Sequence, residues 1–156
     1  MLRTILEIIY LSTIIYLSYL YYKLFLNVVK QRRETKISIG INNKKLERAV
    51  RAHSNFCETV PFIVLLSFIL YFNNLLIFAS LSLIILSVGR TIHANSISKI
   101  DERIEDRRKG MRLTFFSFKI ILFAILYYIC TLIYFYVQAS FNTTFLPQFI
   151  KHIPYF

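Results

Sequence analysis

Hydrophobic and polar positions along this chain fall into long blocks. Residues 4–29, TILEIIYLSTIIYLSYLYYKLFLNVV, carry only two charges, Glu7 and Lys23. Residues 60–89, VPFIVLLSFILYFNNLLIFASLSLIILSVG, carry none. Residues 114–137, TFFSFKIILFAILYYICTLIYFYV, carry only Lys119. A bilayer core is crossed by about 20 apolar residues in a helix. The pattern therefore predicts an integral, multi-pass, all-α membrane protein.

The middle block reads either as one long helix or as a tight pair of helices. Asn73-Asn74 decides for the pair, because two adjacent asparagines suit a turn and not the middle of a buried helix. Charge supports the same choice. Lys30, Arg32, Arg33, Lys36, Lys44, Lys45, Arg48 and Arg51 surround the first connection. Lys99, Arg103, Arg107, Arg108, Lys109 and Arg112 surround the last. Three spans would put these two groups on opposite faces of the membrane. Four spans put both on one face, as the positive-inside rule prefers. The expectation is a four-transmembrane-helix bundle in one domain, 1–156, with spans near 3–30, 46–72, 75–98 and 110–137. Its basic connections face the cytosol, in an inner membrane if the source is bacterial or the endoplasmic reticulum if it is eukaryotic.

Composition agrees. The chain has 156 residues, 56% of them hydrophobic and 17% aromatic. A soluble domain of this size has too little interior for that much apolar surface. The first block is too long for a signal peptide, starts with little positive charge and lacks a small-residue cleavage site, so it is expected to stay as a helix. The net charge of +11 is mostly the topological charge of the two connections, with a share available to anionic head groups. No phosphate-binding glycine loop or nucleic-acid motif accompanies it, so no nucleic-acid partner is expected. Cys57 and Cys130 fall in different spans without zinc spacing, so neither a disulfide nor a metal is expected. The tail QASFNTTFLPQFIKHIPYF, 138–156, is expected to lie at the membrane interface. Its Asn142-Thr143-Thr144 sequon reads as a chance match outside a eukaryotic source.

Candidate chemistry begins where the second span begins, in ERAVRAHSNFCETVPF, residues 47–62. On a helix, Arg48, Arg51, Asn55 and Glu58 are three, four and three residues apart and share one face. At 100° per residue they cover an arc of about 80°. Thr59 lies beside that arc, and His53 and Cys57 point elsewhere. Such groups at a membrane edge need partners. One reading is an internal network, Arg51 with Glu58 through Asn55, or Arg48 with an acid of a connection. The other is a pocket for a small zwitterion, with cations on its carboxylates and Glu58 on its amine. GRTIHANS, 89–96, places Arg90 and His93 on one face of the third span. Alone, these read as a snorkelling cation and an interfacial histidine. RRKGMRLT, 107–114, alone reads as a solvated basic helix end. In DERIEDRRKG, 101–110, acids alternate with arginines, which favours a surface ion-pair network over a metal site.

Taken together these segments resemble the MAPEG family, membrane-associated proteins in eicosanoid and glutathione metabolism. The second-span pattern is carried by Glu47, Arg48, Arg51, Ala52, Asn55, Glu58 and Pro61. GRTIHA at 89–94 is similar to the ending of that family's third helix, and RRKGMRLT to the opening of its fourth. The likeness covers most of the chain and is nearest the compact bacterial-type branch. It implies a homotrimer of four-helix bundles that binds glutathione between subunits near the cytosolic face. Arg51, Asn55 and Glu58 match its glutathione-binding positions, Arg48 an adjacent and more structural arginine, and Arg90 and His93 site-lining positions. Its thiol-activating arginine falls best on Arg107, next on Arg108, with Arg112 a third choice. Two positions depart from the eicosanoid branch: Thr59 and Ile97 stand where that branch carries tyrosines.

The resemblance implies glutathione as co-substrate and a lipophilic electrophile or lipid hydroperoxide as its partner. The competing reading is a non-catalytic membrane scaffold or lipid-binding trimer, in which the polar stripe is an intersubunit salt-bridge network.

Overall fold

A computed structural model of the chain describes the backbone of residues 1–150 and the side chains of residues 1–141. It contains four helices: α1 Leu2–Thr35, α2 Lys44–Phe72, α3 Leu76–Ile97 and α4 Ile104–Ile150. All four are long and apolar enough to cross a membrane. The chain is an all-α, multi-pass membrane protein with the four spans expected of it.

Local chemistry sets the boundaries. α1 ends at Lys36, whose φ of 54° breaks the helix in the left-handed region. Asn43 opens α2: its Oδ1 accepts from the backbone N–H groups of Lys45 and Leu46, at 2.9 and 3.2 Å. Such a cap satisfies donors that a helix start leaves free. Asn73 and Asn74 form the turn between α2 and α3, with Asn74 at φ 61°, a conformation asparagine tolerates better than most residues. α2 continues through Pro61.

The start of α4 differs from expectation. The helix begins at Ile104, so only 98–103 remain as a connection. Glu105 and Asp106 lie in its first turn, where the helix dipole favours acids. Much of the charged run is therefore helical. At the other end, residues 138–141 of the aromatic tail continue α4. The placement of the rest of that tail at an interface, and the sequon, concern side chains outside the described residues.

α3 sits at the centre and packs against the other three helices, whereas among the described residues α1 and α4 do not meet. Its buried positions are largely small: Ala79, Ser80, Ser82, Ser87, Gly89, Ala94 and Ser96. Small side chains let helices approach where no water drives them together. Buried hydroxyls join the helices further. Tyr10 and Ser67 share a hydrogen bond of 2.8 Å, and Ser82 and Ser117 another of 2.8 Å. Aromatic and aliphatic side chains such as Ile15, Phe62, Leu65 and Phe123 stay exposed, as surfaces facing lipid do.

Two contacts show how the connections are arranged. Arg48, near the start of α2, pairs with Glu102 of the α3–α4 connection at 2.9 Å. Arg3 reaches Asn74 Oδ1 at 3.4 Å. The two basic connections thus share one end of the bundle, and the N-terminus shares the other with the Asn-Asn turn.

Candidate functional site

The polar face of α2 opens onto a cavity of about 360 Å³ at the basic end of the bundle. From α2 come Arg48, Arg51 and Asn55, with Lys44 and Glu47 one turn nearer the helix start. Ile97 ends α3 on the opposite wall, and Glu102 and Arg107 close it from the connection and from the first turn of α4. Four of the residues singled out from sequence, Arg48, Arg51, Asn55 and Arg107, are therefore brought together. The volume suits a small ligand.

Glu102 organises one side of this cavity. Its Oε2 lies 2.9 Å from Arg48 Nη1 and its Oε1 lies 3.3 Å from Arg107 Nη1. Arg48, and after it Arg107, holds the Glu102 carboxyl below the usual carboxylate range against the opposing effect of burial. The expected pairing of Arg48 with a connection acid is present. Pairing of Arg51 with Glu58 is not: Arg51 makes no ion pair among the described residues. Glu102 itself had no sequence signal beyond its place in an alternating run of charges. Lys44 was likewise legible only as part of the basic approach to α2, and Glu47 only as a member of the second-span pattern.

Behind the cavity lies a fully buried layer. His93 Nδ1 is 3.4 Å from the carbonyl oxygen of Arg107, and its Nε2 is 3.5 Å from Asn55 Nδ2. Both contacts are long. In the neutral tautomer that carries its proton on Nδ1, the ring donates to the carbonyl and Nε2 accepts from the amide. His93 thereby links α2 to α4 through α3. It is wholly enclosed, not interfacial.

Arg90 is enclosed and does not snorkel. Read alone it is a snorkelling cation, and the resemblance makes it line the site. Its side chain has 0% exposure and is not among the residues lining the cavity. None of its three guanidinium nitrogens has a hydrogen-bond partner among the described residues. Glu58 is the acid whose charge acts on it.

Glu58 does not share the cavity of Arg51 and Asn55. It borders a second cleft of about 180 Å³ with Thr59, Phe62, Ile63, Thr114 and Phe118. Apart from Glu58 and the two threonines, those walls are apolar. The hydroxyl of Thr59 is turned back onto the Asn55 carbonyl at 2.8 Å. Arg108 and Arg112 are exposed, and neither lines either space. His53 and Cys57 face α1, with the His53 ring 5.2 Å from Tyr21 and 6.0 Å from Phe25. Among the described residues no group of three or more His, Cys, Asp or Glu side chains is placed to hold a metal ion.

These features define a four-helix membrane protein with a cationic cavity at one end of the bundle and an apolar cleft on its flank. The sequence profile of the MAPEG family matches residues 10–134, most of the chain. The chain belongs to the MAPEG family. Membership supports a glutathione-dependent transferase, peroxidase or related membrane function in general. No curated protein matches the chain.

Proposed function

We propose that this protein is a membrane-bound glutathione-dependent transferase or peroxidase, acting on a lipophilic electrophile or a lipid hydroperoxide. The observation that carries this reading is the convergence of Arg48, Arg51, Asn55 and Arg107 on one cavity in a family that generally uses glutathione.

Glutathione carries two carboxylates, one ammonium and two amides. Arg51 and Lys44 stand free to hold a carboxylate, Glu47 an ammonium, and Asn55 an amide. A guanidinium near a thiol favours the thiolate, which is the nucleophile. Arg107 is the activator in this scheme, because it lines the cavity and Arg108 and Arg112 do not. In conjugation, sulfur bonds to the electrophilic carbon, and the leaving group or resulting carbanion departs with its electron pair or takes a proton. In hydroperoxide reduction, the thiolate attacks the terminal oxygen and the O–O bond breaks. The alkoxide takes a proton, and a second glutathione converts the sulfenic acid to disulfide and water. Holding both reactants together supplies rate through proximity.

The family resemblance extends this reading to a homotrimer with cytosolic basic connections and the cavity at a subunit boundary. The test is a titration of detergent-solubilised protein with glutathione, followed by calorimetry and thiolate absorbance. Saturable binding with a rise in absorbance is expected. Absence of binding at millimolar glutathione, with the helices intact, removes the enzyme reading and favours the scaffold.

A further inference from the structure

We infer that Glu102 is a specificity-determining residue of the cavity: it occupies the Arg48–Arg107 end as a built-in carboxylate, and a ligand carboxylate must displace it to bind there. This rests on the reading of the cavity as a glutathione site.

The geometry is that of a bound anion. Glu102 presents one oxygen to each arginine: Oε1 accepts a hydrogen bond from Arg107 at 3.3 Å, and Oε2 is ion-paired with Arg48 at 2.9 Å while accepting no hydrogen bond among the described residues. Its side chain is 12% exposed while those of Arg48 and Arg107 are 28% and 46% exposed, so the contact is partly shielded from water and a ligand can reach the arginines. The carboxylate comes from the connection 98–103 and not from a helix, so it can withdraw without unwinding a span. Arg48 and Arg107 come from different helices. Any anion between them fastens α2 to α4, and here the protein supplies that anion itself.

The other end of the cavity is different. Lys44 and Arg51 line the same space and make no ion pair among the described residues. The cavity therefore offers two places for a carboxylate, one free and one taken. A ligand with a single carboxylate fills the free place without competition. A ligand with two gains its second contact only against Glu102. Glu102 thus weakens dicarboxylates selectively and holds Arg107 on a protein carboxylate until a suitable ligand arrives.

The experiment compares the full-length wild-type protein with Glu102→Gln, and with Glu102→Asp as a shorter acid that reaches both arginines less well. Calorimetry at pH 7 measures three ligands: glutathione, its glycyl monoethyl ester, and glutarate as a plain dicarboxylate. Glu102→Gln is expected to tighten glutathione and glutarate about tenfold, the worth of one partly shielded charged contact. The ester is expected to stay within about twofold, and Glu102→Asp to fall between. Equal gains for glutathione and its ester, or no gain for either dicarboxylate, overturn the inference. If glutathione binds no variant while glutarate binds and tightens in Glu102→Gln, the glutathione reading fails and the role of Glu102 stands. If glutarate and glutathione both fail to bind, both readings fall. Helical circular dichroism of each variant reports that it has folded.

Discussion

Gly89 and Gly110 press the backbones of α3 and α4 together directly beside His93. A Cβ built on Gly110 would lie 2.7 Å from the Gly89 carbonyl oxygen and 2.7 Å from the His93 backbone nitrogen. A Cβ on Gly89 would meet the Leu113 Cβ at 2.8 Å and the Gly110 carbonyl oxygen at 3.0 Å. The neighbours are mostly backbone and Cβ atoms, which cannot rotate aside. The close approach is what sets His93 within reach of the Arg107 carbonyl.

Gly110→Ala is therefore expected to separate the two helices. Overpacking of a tight contact costs about 1–3 kcal/mol. Thermal unfolding in detergent micelles should show a lower midpoint, and anion binding at the cavity should weaken with it. An unchanged midpoint would mean that the helices move apart freely and that the glycines do not position the site.

The buried charge of Arg90 leads to a second expectation. Glu58 is the acid that acts on it, and an isolated charge inside a membrane protein is costly. Glu58 and Arg90 form no close ion pair among the described residues, so Glu58→Gln should destabilise the protein by removing a longer-range countercharge to Arg90. Adding Arg90→Met should recover stability, because the uncompensated cation is gone. Neighbouring groups of this kind couple by about 0.5–3 kcal/mol in a double-mutant cycle. Additive effects of the two substitutions would show that the charges are independent.

The spans and the polar face were readable from pattern, and the reasons are physical. Long apolar blocks have little use outside a bilayer, and Asn73-Asn74 is a local turn signal. The α2 face follows from helical periodicity alone, which placed Arg48, Arg51 and Asn55 correctly on one wall. Glu58 follows the same periodicity yet opens onto a different cleft. Periodicity gives the direction of a side chain along an arc but not which neighbouring helix divides that arc. Arg90 misleads for a related reason. A cation near a helix end can snorkel or be enclosed, and only the packing of α3 among three helices decides. The role of Glu102 depends on how the short connection 98–103 folds back over α2, and an alternating run of charges does not encode that.

Glu102 also implies a pH dependence. Arg48 of α2 and Arg107 of α4 pair with it, His93 of α3 feels its charge, and Lys44, Glu47 and Arg51 line the same cavity. Its folded-state pKa lies below the ordinary carboxylate value. The unfolded state therefore binds the proton first, and the stabilisation is complete above the ordinary value. It is lost as pH falls through the lowered one. The gap in thermal midpoint between wild type and Glu102→Gln should be positive at pH 7 and close as pH drops below about 4. A gap that widens in acid would reverse the assigned sign.

Arg107 takes part in both binding and chemistry, and the two can be measured separately. It is 46% exposed and tied to Glu102, so it contributes less to the fold than the enclosed layer behind it. If it activates the thiol, Arg107→Ala should reduce turnover by about tenfold or more and raise the pKa of bound glutathione thiol. Binding should weaken as well, because Arg107 also meets the second ligand carboxylate, so turnover is compared at saturating glutathione. The matching variants Arg108→Ala and Arg112→Ala should leave turnover unchanged, because neither side chain reaches the cavity. Loss of thiolate absorbance in Arg107→Ala alone, measured at saturating glutathione, is the expected result. Full thiolate and full turnover in all three variants would remove a guanidinium of α4 from the mechanism. Activation would then have to come from the arginines of α2.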